Sequence, residues 1–303
     1  MKKLLAIAVA VAFAAPAMAD TSVYGKAHVS INKADGSTVD LQSHTSRIGL
    51  KGSNALDNGL TATHQFELGV NPADSAAKIY TDTNHNGMQD ANEPTTGEGN
   101  NITRRDMWVG LKGGFGEFRF GRHSLPSDLL DDHTDFMTNG GALNQTPGRQ
   151  DNALAYIGSF GPVTAALAHV ADGSDTGADK ANDIALSYKA GPLTASIGHV
   201  SIKGGGNDVT GLGLSYSGAN YGVGFKHDKK TNSKQNTLSG RYSFGKAYVA
   251  AEYGKNKDLD KKSQIIELGY GLGKATKVYF ENSKQTTGAT SEKNNRLGLV
   301  HSF

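Results

Sequence analysis

Three observations predict an all-β chain that closes as a sixteen-stranded antiparallel transmembrane β-barrel. Apolar and polar residues alternate with period two along most of the chain, and helical spacing of apolar residues is hard to find after Ala19. The alternating segments number sixteen, an even count, and a tilted membrane strand needs about 9–11 residues. Composition is the third: 39 of the 303 residues are Gly, about twice the usual share of roughly 7%. Hydrophobic residues make up only 37%, against about 45–50% in soluble domains. Little is left for a large helical or doubly wound core.

An export segment comes first. Lys2 and Lys3 precede an apolar run from Leu4 to Ala15, and Ala17-Met18-Ala19 before Asp20 has the small-x-small form of a signal-peptide cleavage site. Pro16 ends the run before the roughly 20 residues that a spanning helix needs. The expected organisation is a cleaved signal peptide over 1–19 and one barrel over 20–303. Losing Lys2 and Lys3 takes the formal charge from +2 to 0. A neutral chain argues against nucleic-acid binding. The absence of Cys excludes a disulfide framework, a thiolate metal site and a cysteine nucleophile. With no other helical span, a membrane position requires a closed barrel, which satisfies every backbone hydrogen bond in lipid.

The strands follow in order. Segment 23–32 sets Val23, Ala27, Val29 and Ile31 against Tyr24, Lys26, His28 and Ser30; segment 43–53 comes next. In 59–70, Leu60, Ala62, Phe66 and Leu68 alternate with Thr61, Thr63, Gln65 and Glu67, and His64 interrupts the apolar row. Segments 102–112 and 117–122 meet at Gly113-Gly114, 150–159 and 163–171 at Gly161-Pro162, and 183–189 and 193–202 at Gly191-Pro192. Then 209–216 and 221–228 flank Ser217 to Asn220, 236–243 and 247–255 flank Gly245-Lys246, and 264–270 and 277–284 flank Gly271 to Ala275; 295–303 ends the chain. Gly and Asn supply the positive φ that such short turns require. Longer polar loops are expected at the other strand ends, the longest over 72–101 and 123–149. Tyr156, Phe160, Tyr188, Tyr216, Tyr221, Phe244, Tyr248, Tyr270 and Tyr279 lie near segment ends, as interfacial aromatic girdles would.

Several motifs recur in a fixed order: Tyr24-Gly25-Lys26, Ser46-Arg47-Ile48-Gly49-Leu50-Lys51-Gly52, Arg105 with Val109-Gly110-Leu111-Lys112-Gly113, Phe120-Gly121-Arg122, and Gly148-Arg149-Gln150-Asp151-Asn152. The chain ends His301-Ser302-Phe303 after alternating Leu297 and Leu299. In this order the motifs resemble the trimeric, sixteen-stranded general porins of the Gram-negative outer membrane, over essentially the whole mature chain. The resemblance implies a passive channel for small hydrophilic solutes and ions, not an enzyme. It implies that the long loop after the fifth strand folds into the lumen, facing a basic ladder of Lys26, Arg47, Arg105 and Arg149 with Arg122 as neighbour. Asp128, Asp131, Asp132 and Asp135 lie on that loop, and Glu67 on the polar face of its strand. The loop lacks the Pro-Glu-Phe element common in the family. A plainer alternative makes the arginines ordinary barrel residues paired with loop carboxylates. The implied partners are two further copies in a homotrimer, outer-membrane lipid and lipopolysaccharide, and the barrel assembly machinery through Phe303.

A second chemistry lies in the first long loop. Asp82-Thr83-Asn84-His85-Asn86-Gly87-Met88-Gln89-Asp90-Ala91-Asn92-Glu93 fits the calcium-loop pattern D-x-[DN]-x-[DN]-G-x5-E. Asp82, Asn84, Asn86, Asp90 and Glu93 offer side-chain oxygens and Met88 its carbonyl. Three carboxylates and no amphipathic flanking helices predict weak binding, on the order of 10⁻⁴–10⁻³ M; a solvated loop is the plainer reading. No cofactor is otherwise required. In the resembled family this loop latches onto the neighbouring subunit.

Rival readings are a solute-specific channel of the same fold, a structural or adhesive barrel, and an outer-membrane hydrolase. Sixteen strands leave an aqueous channel, whereas plugged barrels use about eight. Ser124, Asp132 and His133 supply triad residue types, but nothing in the sequence marks a nucleophile or orients a base.

Overall fold

The computed structural model of the chain describes residues 20–73, 78–80, 95–98, 102–141, 143–171, 180–203 and 208–303. The segment 1–19 and the calcium-type loop 82–93 lie outside the described residues. Strand β1 is Asp20–Ala34, β2 runs in two pieces, Asp40–Ser43 and Arg47–Ala55, and β3 is Thr61–Val70. Next come β4 (Ile102–Gly113), β5 (Gly116–Ser124), β6 (Arg149–Phe160), β7 (Val163–Val170), β8 (Ala181–Ala190) and β9 (Leu193–Ile202). The chain finishes with β10 (Val209–Ser217), β11 (Tyr221–Lys230), β12 (Ser233–Phe244), β13 (Ala247–Asn256), β14 (Lys261–Gly271), β15 (Thr276–Thr287) and β16 (Thr290–Ser302). A separate two-stranded ribbon, Lys78–Tyr80 with Thr95–Glu98, stands in the first long loop.

Each strand pairs antiparallel with its sequence neighbours, and β16 returns to β1 from Lys26↔Ser302 to Ala34↔Asn294. Closure leaves no unpaired edge. Phe303 completes the seam through two backbone bonds to Gly25, at 2.8 and 3.1 Å. The two pieces of β2 both pair with β1, so they are one strand interrupted at 44–46. There the Ser46 hydroxyl replaces ladder bonds, accepting from the His28 N–H at 2.8 Å and donating to the His28 carbonyl at 3.1 Å.

Alternation places apolar residues outside and polar residues inside, the inverse of a soluble protein. On β14 Ile266 is 58% exposed while Glu267 beside it is fully buried. Only a hydrocarbon surround makes that arrangement favourable. His64 belongs to the outward row, its ring 6.2 Å from that of Phe66. Two of the nine girdle aromatics do not: Tyr248 and Tyr279 are buried on the inner wall, where their hydroxyls bond Glu267 and His28. Their parity along β13 and β15 decides this, and closeness to a strand end does not. The expected long loops are also absent from the last three outer connections, because β11, β12 and β14 to β16 extend almost to the turns at 231–232, 257–260 and 288–289.

The apolar core lies beneath the inward loop. Leu125 packs with Ala153, Ala155, Val170, Val200 and Val209 of the wall. Met137 and Phe136 pack on Tyr248, Ala250 and Ile265.

Candidate functional site

After β5 the chain turns into the lumen and forms a short 3-10 helix, Pro126–His133, laid on the inner faces of β7 to β11. Polar residues of the wall hold it at intervals. Asp183 of β8 accepts from the Ser127 backbone N–H, 3.1 Å to each oxygen, and from its hydroxyl at 2.6 Å. Lys226 of β11 is ion-paired with Asp131 and, at 3.2 Å, with Asp228. His133 bonds Ser215 of β10 and Ser196 of β9, each at 2.8 Å. Further along, Glu267 of β14 accepts from the Thr138 N–H at 2.8 Å and its hydroxyl at 2.6 Å.

Glycines make this close seating possible. Gly198 and Gly211 lie under Leu130, Gly213 under the His133 ring, Gly222 under Phe136 and Gly254 under Leu143. A Cβ at Gly224 would overlap the His133 carbonyl. Part of the glycine excess therefore serves the inner wall as well as the turns.

The opposite wall is basic. Register shifts between β3 and β4 opposite Glu67, so Arg105 and Asp106, though adjacent, both lie on the lumen side; a bulge re-aims side chains in this way. Glu67 is ion-paired with Arg105 and, at 3.3 Å, with Arg47. Tyr24 donates to it at 2.9 Å. Arg149 meets Asp106 at 3.0 Å, Arg119 meets Glu117 at 2.7 Å, and Lys26 stands opposite Arg47 in the β1–β2 ladder. The four guanidiniums remain 20–30% exposed while Glu67 is 4% exposed. The positive ends thus face the water and the carboxylates lie behind them.

Asp132 and Asp135 are exposed on the loop. Asp135 feels the positive charges of Arg241, Lys26 and Lys277, and Asp128 that of Arg149. A cavity of about 390 Å³ is lined by Arg119 and Arg149 on one side and Asp128, Asp131 and Asp132 on the other. The Asp132 and Asp135 side chains reach solvent, but the protein crowding the lumen desolvates them; that desolvation, then repulsion from Asp135, Asp131 and Asp128, pushes the Asp132 carboxyl up to about 6. Desolvation also raises Asp135 and Asp128, against the pull of the cations facing them.

The structure therefore gathers Lys26, Arg47, Arg105 and Arg149 on one wall, with Asp128, Asp132 and Asp135 on the loop. Three expected constriction residues are placed otherwise. Arg122 stands opposite Met107 in the outward row and meets Asp151 at 3.3 Å, which also takes the largely exposed Arg104. Glu67 belongs to the basic wall as its counter-ion, and Asp131, though it lines the cavity, has its charge taken up by Lys226 in anchoring the loop. The arginines are paired, but with wall carboxylates rather than those of the loop. The hydrolase constellation is not assembled, since both ring nitrogens of His133 are held by Ser196 and Ser215. Sequence reasoning missed Asp106, Arg119, Lys226 and Glu267. Arg119 was within reach, because exposed Phe118 and Phe120 fix it to the inner face.

The family model described as Gram-negative porin matches residues 6–290. The chain is 30% identical to the outer membrane porin protein 32 of Delftia acidovorans, covering 92% of this chain and 87% of that one. It is 33% identical to the major outer membrane protein P.IB of Neisseria gonorrhoeae over 138 residues, 42% of this chain and 33% of the other. Among solved structures, an anion-selective porin from Comamonas acidovorans superposes with TM-score 0.72 at 22% identity, covering 94% and 100% of the two chains. OmpF of Salmonella typhi, in complex with daunomycin, gives TM-score 0.77 at 15% identity, covering 93% and 97%.

Proposed function

The chain belongs to the Gram-negative porin family, and from that premise we propose that a transverse field between its basic wall and its internal loop sets which solutes pass. The protein is an outer-membrane channel for passive diffusion and not an enzyme. The observation that carries the selectivity reading is the separation of sign: exposed guanidiniums of Arg47, Arg105, Arg119 and Arg149 against the exposed carboxylates of Asp132 and Asp135.

Fixed charges of opposite sign across a narrow aqueous gap orient a dipolar solute and leave a bulky apolar one unsolvated. A unit charge about 5 Å from a passing ion contributes about 0.8 kcal/mol at the dielectric of water, about fourfold in occupancy. Because Glu67, Asp106 and Glu117 stand behind their arginines, the wall retains a positive face at lower net charge. Family membership supports a homotrimer. Seam closure by Phe303 is consistent with its use as an assembly signal, and lipopolysaccharide is the expected outer-leaflet neighbour. The match of Asp82 to Glu93 supports a weak calcium site in the latching loop, and the sequence supports a mature chain that begins at Asp20. Liposome swelling with uncharged sugars of graded size tests the diffusion reading: rates must fall steeply with size, and a single sugar admitted regardless of size would favour a solute-specific channel.

A further inference from the structure

Outside the pore, at the loop end of the barrel, the charges on β11 to β16 are sorted by side. Three pairs of lysines stand directly opposite one another: Lys229 with Lys234, Lys255 with Lys262, and Lys284 with Lys293. All six occupy outward rows, alternating with buried lumen residues such as Asp228, Gln235, Glu252, Ser263 and Ser283. Successive pairs are offset by two residues, Lys255 facing Asn236 and Lys284 facing Gln264, which is the stagger that holds a row level on tilted strands.

Like charges directly opposite in an antiparallel pair are destabilising, and here the arrangement occurs three times in succession. The carboxylates nearby are turned to other tasks. Asp228, Glu252, Glu267 and Glu281 are buried in the inward rows, and Glu292 stands opposite Gln285 in the same inward register. At the rim, Asp258 accepts the backbone N–H of Lys234 at 2.6 Å and Asp35 that of Lys293 at 3.2 Å, and Asp260 lies in the 257–260 turn. Among the described residues none of the six lysines forms an ion pair with a carboxylate.

The layers beneath the lysines continue the pattern. One step down the outward rows come His227, Asn236, Tyr253, Gln264, Asn282 and Asn295, and one step further Phe225, Leu238, Ala251, Ile266, Phe280 and Leu297. Charge, hydrogen-bonding groups and hydrocarbon thus follow in the order of a phosphorylated amphiphile lying against the barrel with its acyl chains down.

We propose that the paired lysines of β11 to β16 form a belt that binds the phosphates of a multiply acylated, phosphorylated glycolipid in the outer leaflet. The proposal deepens the expected contact with lipopolysaccharide and is independent of the pore. A phosphate between two opposed ammonium groups converts a repulsive pair into a bridged one, and each lysine near an anionic surface is worth about fivefold in binding.

The test uses purified full-length protein and native mass spectrometry with three probes: lipid A bearing both phosphates, the same lipid with its phosphates removed, and inorganic phosphate. The six Lys→Gln changes are combined in one variant and made pairwise in three others. Lys246→Gln with Lys274→Gln, at the opposite rim, is the control. Wild type and control should retain the phosphorylated lipid, the sixfold variant should lose at least about tenfold in affinity, and each pair variant should lose part of that. The phosphate-free lipid should bind all variants alike. Equal retention by wild type and the sixfold variant, equal retention of lipid with and without phosphate by wild type, or displacement of the lipid by inorganic phosphate would each overturn the proposal. If the sixfold variant does not assemble, the pair variants decide the same question. Conductance of each sample in planar bilayers is read separately, and an unchanged pore with lost lipid separates this belt from the constriction.

Discussion

Glu67 and Arg105 are ion-paired within one wall of the barrel, beside the channel rather than across it. The carboxylate lies behind the guanidinium and is shared with Arg47 at 3.3 Å. Replacing Glu67 by Gln removes a negative charge without opening the gap. Bi-ionic reversal potentials should move toward anions, by about the fourfold occupancy change that one charge at 5 Å produces, and the shift should shrink as salt is raised. An unchanged reversal potential would place Glu67 outside the field.

The contact between Gly224 and the His133 carbonyl leaves no room for a side chain. Gly224→Ala should displace the loop from β11 at a cost of about 1–3 kcal/mol, the usual range for overpacking. Thermal unfolding of the purified protein should begin lower, and single-channel records should become noisier or larger in conductance. A quiet channel of wild-type conductance and stability would mean that the loop is not seated there.

Acidification should strengthen anion preference. The Asp132 carboxyl is pushed up to about 6 by desolvation within the lumen and by its acidic neighbours. Above that pH it is charged and favours cations; as pH falls through about 6 it becomes neutral and the wall arginines, which stay protonated, dominate. Asp132→Asn should show the acidic preference at every pH between 5 and 8, all near the titration of the wild-type group. A variant that retained the full pH dependence would assign the titration to another residue.

For the loop outside the described residues, Asp82→Ala with Glu93→Ala removes two of the three carboxylates of the calcium-type sequence. Melting of the assembled protein should rise with millimolar calcium in the wild type, on the order of the weak affinities of extracellular sites, and the double variant should lose that rise. Identical melting of both in calcium would reject the site.

The barrel was legible because period two is written into every strand: the rows Leu60, Ala62, Phe66 and Leu68 against Thr61, Thr63, Gln65 and Glu67 name their sides without any contact being known. Where backbone regularity breaks, that reading fails. The bulge opposite Glu67 turns both Arg105 and Asp106 inward, and that shift has no composition cue. Arg122 is a different case: it continues the unbroken outward row of Phe118 and Phe120, so alternation already placed it away from the pore. The loop acids were visible as a group, but the division of labour among them depends on Lys226, whose partner Asp131 lies 95 residues away in sequence. Tyr248 and Tyr279 were misplaced by nearness to a strand end when their parity with Ala250 and Glu281 already pointed inward.

Reversal potential across a salt gradient, measured on single channels with Arg47, Arg105 and Arg149 each changed to Ser, tests the opposed-charge constriction most directly, with Arg122→Ser as the outward control. Each of the three should shift permeability toward cations by about two- to fivefold, the scale of one unit charge at the pore wall, while Arg122→Ser leaves it unchanged. Wild-type conductance and reversal potential in all three lumenal variants would contradict the account.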